Sequence, residues 1–481
     1  MPDDAHADDE PALARADALG IAAAVAVLAW GALAEPSAFA PNAQDVMAVF
    51  GFALVLWLTE AVPYVVSGTL AVVLLVVFGV APSFAVAASG FASSLVFFLL
   101  LVFLLGTAID EVDLDRWFAS RLRSSGEGAA RPFRSLAANL FALAFLMPSA
   151  VARAVTFVPV VRRVRDAYDL DPGGGFERSS FLVLGHVNPV ASLALMTGGG
   201  MALVTAEIVR SGSRSVTWLE WAALMIPPVA ALYALSAATA GLLYGGAAVD
   251  ASVQESVEAD GGTSGGTVGA LTRDQRIVAA TMAGAVCLWL LGSVTGLPAI
   301  VPAALAVAVL ALPGIEILTA ADAADVSWGI LFVVGAMFSI LDRMEATGAL
   351  RTIVEAATGA VPFHAMPHWQ GAAVLLGVAV CVRVLFSTGS AAMLVVLPVA
   401  LRIGGEIGLN RLFLALAVVL VVGSTTVFPF NTTAVLVSME EGPLDGFDVL
   451  AFGLVTMTYS LVVVAVSWAV YWPAVAAAFP G

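Results

Sequence analysis

Phe145-Leu-Met-Pro-Ser-Ala-Val-Ala-Arg-Ala-Val-Thr-Phe-Val-Pro-Val-Val161 is the stretch whose reading decides the fold. It is apolar at both ends, yet its middle carries Pro148, the small polar Ser149 and a charged Arg153. A guanidinium placed in hydrocarbon costs roughly 2.5 kcal/mol or more. It is tolerated where the backbone breaks and the charge faces a polar cavity inside protein. A related stretch, Phe386-Ser-Thr-Gly-Ser-Ala-Ala-Met-Leu-Val-Val-Leu-Pro398, recurs about half a chain later. Ser149 to Pro159 and Thr388 to Pro398 are both ten steps apart, with Ala152 matching Ala391 and Arg163 matching Arg402. Paired broken apolar segments in two halves are the sequence mark of a secondary transporter's central site.

Composition agrees with a membrane setting. Of 481 residues, 60% are hydrophobic, and the mean hydropathy is +0.98. Apolar runs of spanning length recur along most of the chain, which predicts a polytopic helical protein of the cell membrane. Residues 1–17 are acidic and polar and do not read as a cleavable signal. The formal net charge is −16, and all 20 basic residues are arginine. Acidic loops without lysine suggest a halophilic habitat and speak against nucleic-acid partners. Cys287 and Cys381 both lie in apolar segments and offer no metal or disulfide framework. No metalloprotease, nucleophile-elbow or phosphate-loop motif is present, so an enzyme is not expected.

The expected fold is an all-α polytopic membrane protein of about 11 transmembrane helices in two inverted repeats. Each repeat would carry a re-entrant hairpin and a broken helix. The divisions are an acidic polar tail (1–17), a first repeat (18–246), a Gly, Ser and acid-rich linker (247–274) and a second repeat (275–481). Arginine placement orients the halves. Arg116, Arg121, Arg123, Arg131, Arg134, Arg162, Arg163, Arg165 and Arg178 flank the first broken segment, against Arg343, Arg351, Arg402 and Arg411 around the second. The positive-inside bias puts the first hairpin's ends in the cytoplasm and makes the second enter from outside. After the hairpins come His186, Asn188, Pro189 and Thr197-Gly-Gly-Gly200, then Gly423-Ser-Thr-Thr426 and Pro429-Phe-Asn-Thr-Thr433. Such runs form helix poorly, which predicts unwinding in mid-membrane. Freed carbonyls could hold a cation, and the amide ends of half-helices an anion.

These residues resemble the divalent-anion:sodium symporter family, the sodium-coupled dicarboxylate, citrate and sulfate carriers. Trp57-Leu-Thr-Glu-Ala-Val-Pro63 is similar to that family's early Trp-x-Thr-Glu-Ala-x-Pro signature. The hairpin tips, Ser149-Ala-Val-Ala152…Pro159 and Thr388-Gly-Ser-Ala391…Pro398, match the family's Ser-Asn-Thr…Pro spacing but carry Ala150 and Gly389 at the two asparagine positions. Thr197-Gly-Gly-Gly200 and Phe430-Asn-Thr-Thr433 loosely match the family's unwound stretches. The resemblance covers roughly residues 18–475. It implies a sodium-coupled carrier of a di- or tricarboxylate or sulfate, working by alternating access as a homodimer. Sodium would sit at Ser149, Ala150, Gly198, Thr388 and Gly389, with no other cofactor.

Anion contacts are expected from Ser149, Arg153, Thr388, Ser390, Asn431, Thr432 and Thr433. Arg153 has a planar fork suited to carboxylate or sulfate. It could instead be satisfied by backbone carbonyls at a broken helix. Arg383 reads as structural, and Asn188 and His186 as an interhelical bond or a site. Ser149, Thr388 and Ser390 could merely bond back to helix carbonyls. Glu60 reads as fixing a helix end. Loss of the tip asparagines leaves a proton-coupled or exchange carrier open. A membrane sensor that binds an anion without moving it also stands.

Overall fold

The computed structural model describes residues 10–33, 41–114, 117, 132–147, 149–212, 216–246, 248, 250 and 271–478. Pro148, Arg116, Arg121, Arg123, Arg131, the first part of the acidic tail and most of the 247–274 linker lie outside the described residues. Every regular element among the described residues is a helix. Among the described residues, seven helices are long and apolar enough to span a membrane: Asn42–Thr59, Ser94–Glu111, Trp218–Tyr244, Arg273–Thr295, His368–Leu385, Gly389–Glu406 and Gly446–Ala476. Shorter apolar helices are Asp17–Gly31, Tyr64–Val77, Ile300–Leu310 and Arg411–Ser424. Trp30, Leu33, Leu242 and Val294 are exposed, as side chains meeting lipid would be.

The chain divides into two compact units that interleave the sequence halves. One comprises Met1–Leu100, Asp325–Ala372 and Pro398–Leu409. Its helices Glu10–Leu33 and Pro41–Thr59 pack closely because small residues line the seam: a Cβ on Gly31 would lie 2.6 Å from that of Ala48. Small residues let helices approach where lipid supplies no hydrophobic drive. The Trp57–Pro63 signature is the corner between two helices. Trp57 is buried, Glu60 has φ 51°, and Pro63 precedes the helix Tyr64–Val77. Tyr64 Oη donates to Glu60 Oε1 at 2.7 Å, so Glu60 fixes this corner.

The second unit comprises Leu101–Ala324, Ala373–Leu397 and Asn410–Gly481. It holds both stretches that interrupt the apolar pattern. Pro132–Leu143 ends at a turn over 144–146, and Ala150–Ala167 returns packed against it. Asp250 fixes the start of the first arm, accepting from the backbone N–H groups of Phe133 (2.7 Å) and Arg134 (3.1 Å). Residues 386–388 interrupt His368–Leu385 and Gly389–Glu406 in the same manner. The far ends of these two arms meet where a Cβ on Gly371 would lie 2.8 Å from Ile407 Cδ1. Both are therefore helical hairpins.

The helices after the hairpins are interrupted too. Gly175–Leu182 runs through a wide turn, Val183–Val187, into Asn188–Ala191; the chain is then non-helical until Gly200–Gly212 begins. The break starts five residues before Thr197, earlier than glycine content alone indicates. Gly198 folds back so tightly that a Cβ there would sit 2.3 Å from Ser192 O. Arg411–Ser424 stops at Thr425, and helix resumes at Thr433 after a short turn over Pro429–Asn431. Asp250→Ala is expected to remove the first arm's cap and cost about 1–2 kcal/mol, read as a lower melting temperature in detergent.

Candidate functional site

Each hairpin is tied to the broken helix of its own half by a buried arginine. Arg153 is fully buried, four residues into the second arm of the first hairpin. Its Nε donates to Asn188 Oδ1 at 2.7 Å, and its Nη2 to Asn188 O at 3.0 Å and Ser192 Oγ at 2.8 Å. Its Nη1 donates to Met147 O in the hairpin turn. Asn188 also reaches across, donating from Nδ2 to Ala150 O at 2.7 Å. One guanidinium and one amide thus clamp the first tip to the first break.

Arg383 does the same by a different route. It sits near the end of the first arm of the second hairpin and is 2% exposed. Its Nε donates to Val422 O at 3.1 Å, its Nη1 to Phe386 O at 2.6 Å and its Nη2 to Asn431 O. Asn431 donates from Nδ2 to Val384 O (3.1 Å) and Phe386 O (3.0 Å) and accepts at Oδ1 from Phe428 N (2.9 Å). A hydrogen bond from a charged donor is worth about 1.5–3 kcal/mol, so a full set offsets a desolvation cost of several kcal/mol. The ion pairs among the described residues include neither arginine. Their positive charges are solvated by dipoles and not cancelled.

The second tip and the breaks of the two halves converge. A Cβ on Gly389 would lie 2.3 Å from Met201 Sδ, and one on Gly200 would lie 3.0 Å from Ser390 Oγ. The N-termini of Gly389–Glu406 and Gly200–Gly212 therefore meet at the second tip. A Cβ on Gly423 would lie 2.6 Å from Leu193 Cδ1, which brings the two breaks together. Amide ends of helices favour an anion, each with about half a positive charge.

Three of the hydroxyls expected as ligands are arranged as helix caps. Ser149 Oγ accepts from Ala152 N at 3.1 Å, Thr388 Oγ1 from Ala391 N at 3.4 Å and Thr432 Oγ1 from Ala434 N at 3.4 Å. Ser149 and Thr433 are exposed, and Thr388, Ser390 and Thr432 half-buried. His186 lies in the wide turn, its Nε2 3.1 Å from Val449 O and its ring edge-on to Phe452. It joins two packed helices and stands apart from the arginine clamps. Sequence reasoning did not single out Ser192, Met147 or Val422 as partners. Ser192 lies four residues after Asn188, a spacing that could have flagged it; carbonyl acceptors leave no mark in a sequence.

Sodium takes oxygen ligands. The candidate oxygens at the junctions, Met147 O, Asn188 O, Phe386 O and Asn431 O, already accept from guanidinium groups. Ala150 and Gly389 bring no side-chain oxygen of their own. Ser149, Gly198 and Thr388, expected at the sodium position, are not among the described residues whose oxygens hold a guanidinium.

Asn188→Ala removes the Oδ1 acceptor of a buried guanidinium and the tie to Ala150 O, and is expected to cost about 2–3 kcal/mol. The exposed Thr433→Ala should cost less than about 0.5 kcal/mol. Thermal unfolding of the two variants in one detergent checks the contrast.

A family model described as the sodium:sulfate symporter transmembrane region matches residues 16–478. A curated protein of Cupriavidus necator, described as a membrane protein, is 25% identical over 217 residues. That match covers 42% of this chain and 42% of the relative, so the chain spans less than half of that protein's length.

Proposed function

The chain belongs to the sodium:sulfate symporter transmembrane family, and from that premise we propose that it is a secondary active carrier of a small divalent anion. Di- or tricarboxylates and sulfate are the candidate substrates. The observation that carries this reading is one neighbourhood holding two meeting helix N-termini and two buried guanidiniums without carboxylate partners. Such a centre disfavours cations and is completed by negative charge. Ser149, Ser390 and Thr433 stand at the tips and breaks, where they would contact the anion directly. Arg153 and Arg383 act on it through space, holding the hairpins in place. The unit carrying both hairpin tips is the part that would expose the site alternately to the two sides, as one member of a homodimer in the cell membrane.

Sodium symport is the coupling that family membership offers. A proton-coupled or exchange mode is the second reading, favoured by Ala150 and Gly389 at the tips and by guanidiniums on the junction oxygens. A sensor would bind the anion and leave it on the side from which it came. Counterflow separates these classes. Proteoliposomes preloaded with unlabelled succinate, citrate or sulfate are expected to accumulate the labelled anion transiently. Binding in detergent with no counterflow of any of the three would abolish the carrier reading.

A further inference from the structure

We propose that Arg153 and Arg383 are resident cations, each filling an oxygen-lined seat where a hairpin meets a broken helix, so that a divalent anion is carried without sodium. This rests on the anion-carrier reading above and sides with its second mode of coupling.

Each seat is assembled from the same kind of parts. The hairpin turn contributes a carbonyl, Met147 O in one half and Phe386 O in the other. The broken helix contributes the rest: Asn188 O, Asn188 Oδ1 and Ser192 Oγ in the first half, Val422 O and Asn431 O in the second. An all-oxygen set gathered from separate chain segments is what a hard cation requires. Here a guanidinium occupies it and closes the junction, as a metal ion would.

The arginines are not equivalent in sequence. Arg153 follows Ser149 by four residues, whereas Arg383 precedes Thr388 by five. They enter their seats from opposite arms, so the two halves supply a positive charge to equivalent junctions by unrelated routes. A donor wanted only to satisfy these carbonyls could be a neutral amide, with no charge to desolvate. Two uncancelled charges at both junctions make sense as permanent counter-charges.

Their mutual placement supports this. Ser192, an acceptor of Arg153, adjoins Leu193; Val422, an acceptor of Arg383, adjoins Gly423; and Leu193 packs directly on Gly423. Two fixed positive charges flanking one centre match a doubly charged anion. A carrier whose positive charge is built in does not need to gather that charge from solution at each cycle. The tip positions Ala150 and Gly389, which offer no side-chain oxygen, are then expected and need no compensation.

The test is uptake of labelled sulfate into proteoliposomes containing the full chain, with sodium or with choline as the external cation. The expected result is equal uptake in both, within about twofold, against a loss of more than about tenfold in choline if bound sodium supplied the charge. Arg383→Gln should lose about tenfold in choline and recover in part when sodium is added, because its carbonyl seat is then vacant. Arg383→Lys, which keeps the charge, should retain sodium-free uptake. A purely structural role would lower Arg383→Gln equally in both media with no rescue by sodium, and that result overturns the proposal. So does wild-type uptake that collapses in choline. If Arg383→Gln fails to fold, the wild-type comparison and the lysine variant decide. Absence of uptake and counterflow in every medium would remove the carrier reading itself, an outcome distinct from sodium dependence.

Discussion

A guanidinium buried among oxygens is the interaction on which the functional half of this molecule depends. Arg153 and Arg383 would each be intolerable in hydrocarbon, and neither has a carboxylate to cancel it among the described ion pairs. Each becomes tolerable because helices stop beside it and turn their carbonyls toward it. The breaks and the charges therefore require one another. Carbonyls released at a helix end need donors, and a stranded guanidinium has donors in fixed directions. Neither feature is stable in a membrane alone.

That mutual requirement shapes the surroundings. Asn188 and Asn431 bind the hairpin main chain beside the arginines, so each junction is held by two side chains. Hydroxyls at Ser149, Thr388 and Thr432 cap the helices that begin there. Glycines at 198, 200, 389 and 423 keep the segments close enough to meet. Long apolar helices such as Trp218–Tyr244 and Arg273–Thr295 stand among the spans of the same unit. Polar chemistry is thus concentrated at the turns and breaks.

Membership of a sodium:sulfate symporter family says what kind of machine this is without saying how this copy is charged. The family resemblance supplies a hairpin and a broken helix in each half, and the structure contains both. The residues at the tips are where this chain goes its own way. With Ala150 and Gly389 in place of asparagine, the tips bring no amide side chain, and guanidiniums bind main-chain oxygens of the hairpin turns beside them.

The helical membrane class, the two hairpin turns, the breaks near Thr197 and Thr425 and the corner at Trp57–Pro63 were all legible in the sequence. Each leaves a local signature: an apolar run, a proline or glycine where helix cannot continue, or a charge where hydrocarbon cannot hold one. Arg153 stood out for the same reason, and Asn188 was a candidate beside it, but their pairing and the carbonyl partners were not legible. Whether its fork points at a solute or at the protein depends on carbonyl oxygens, which every residue possesses and no sequence distinguishes. The interleaving of the halves into two units and the meeting of Leu193 with Gly423 were equally invisible. They arise from contacts between segments hundreds of residues apart, and only the folded chain brings those segments together.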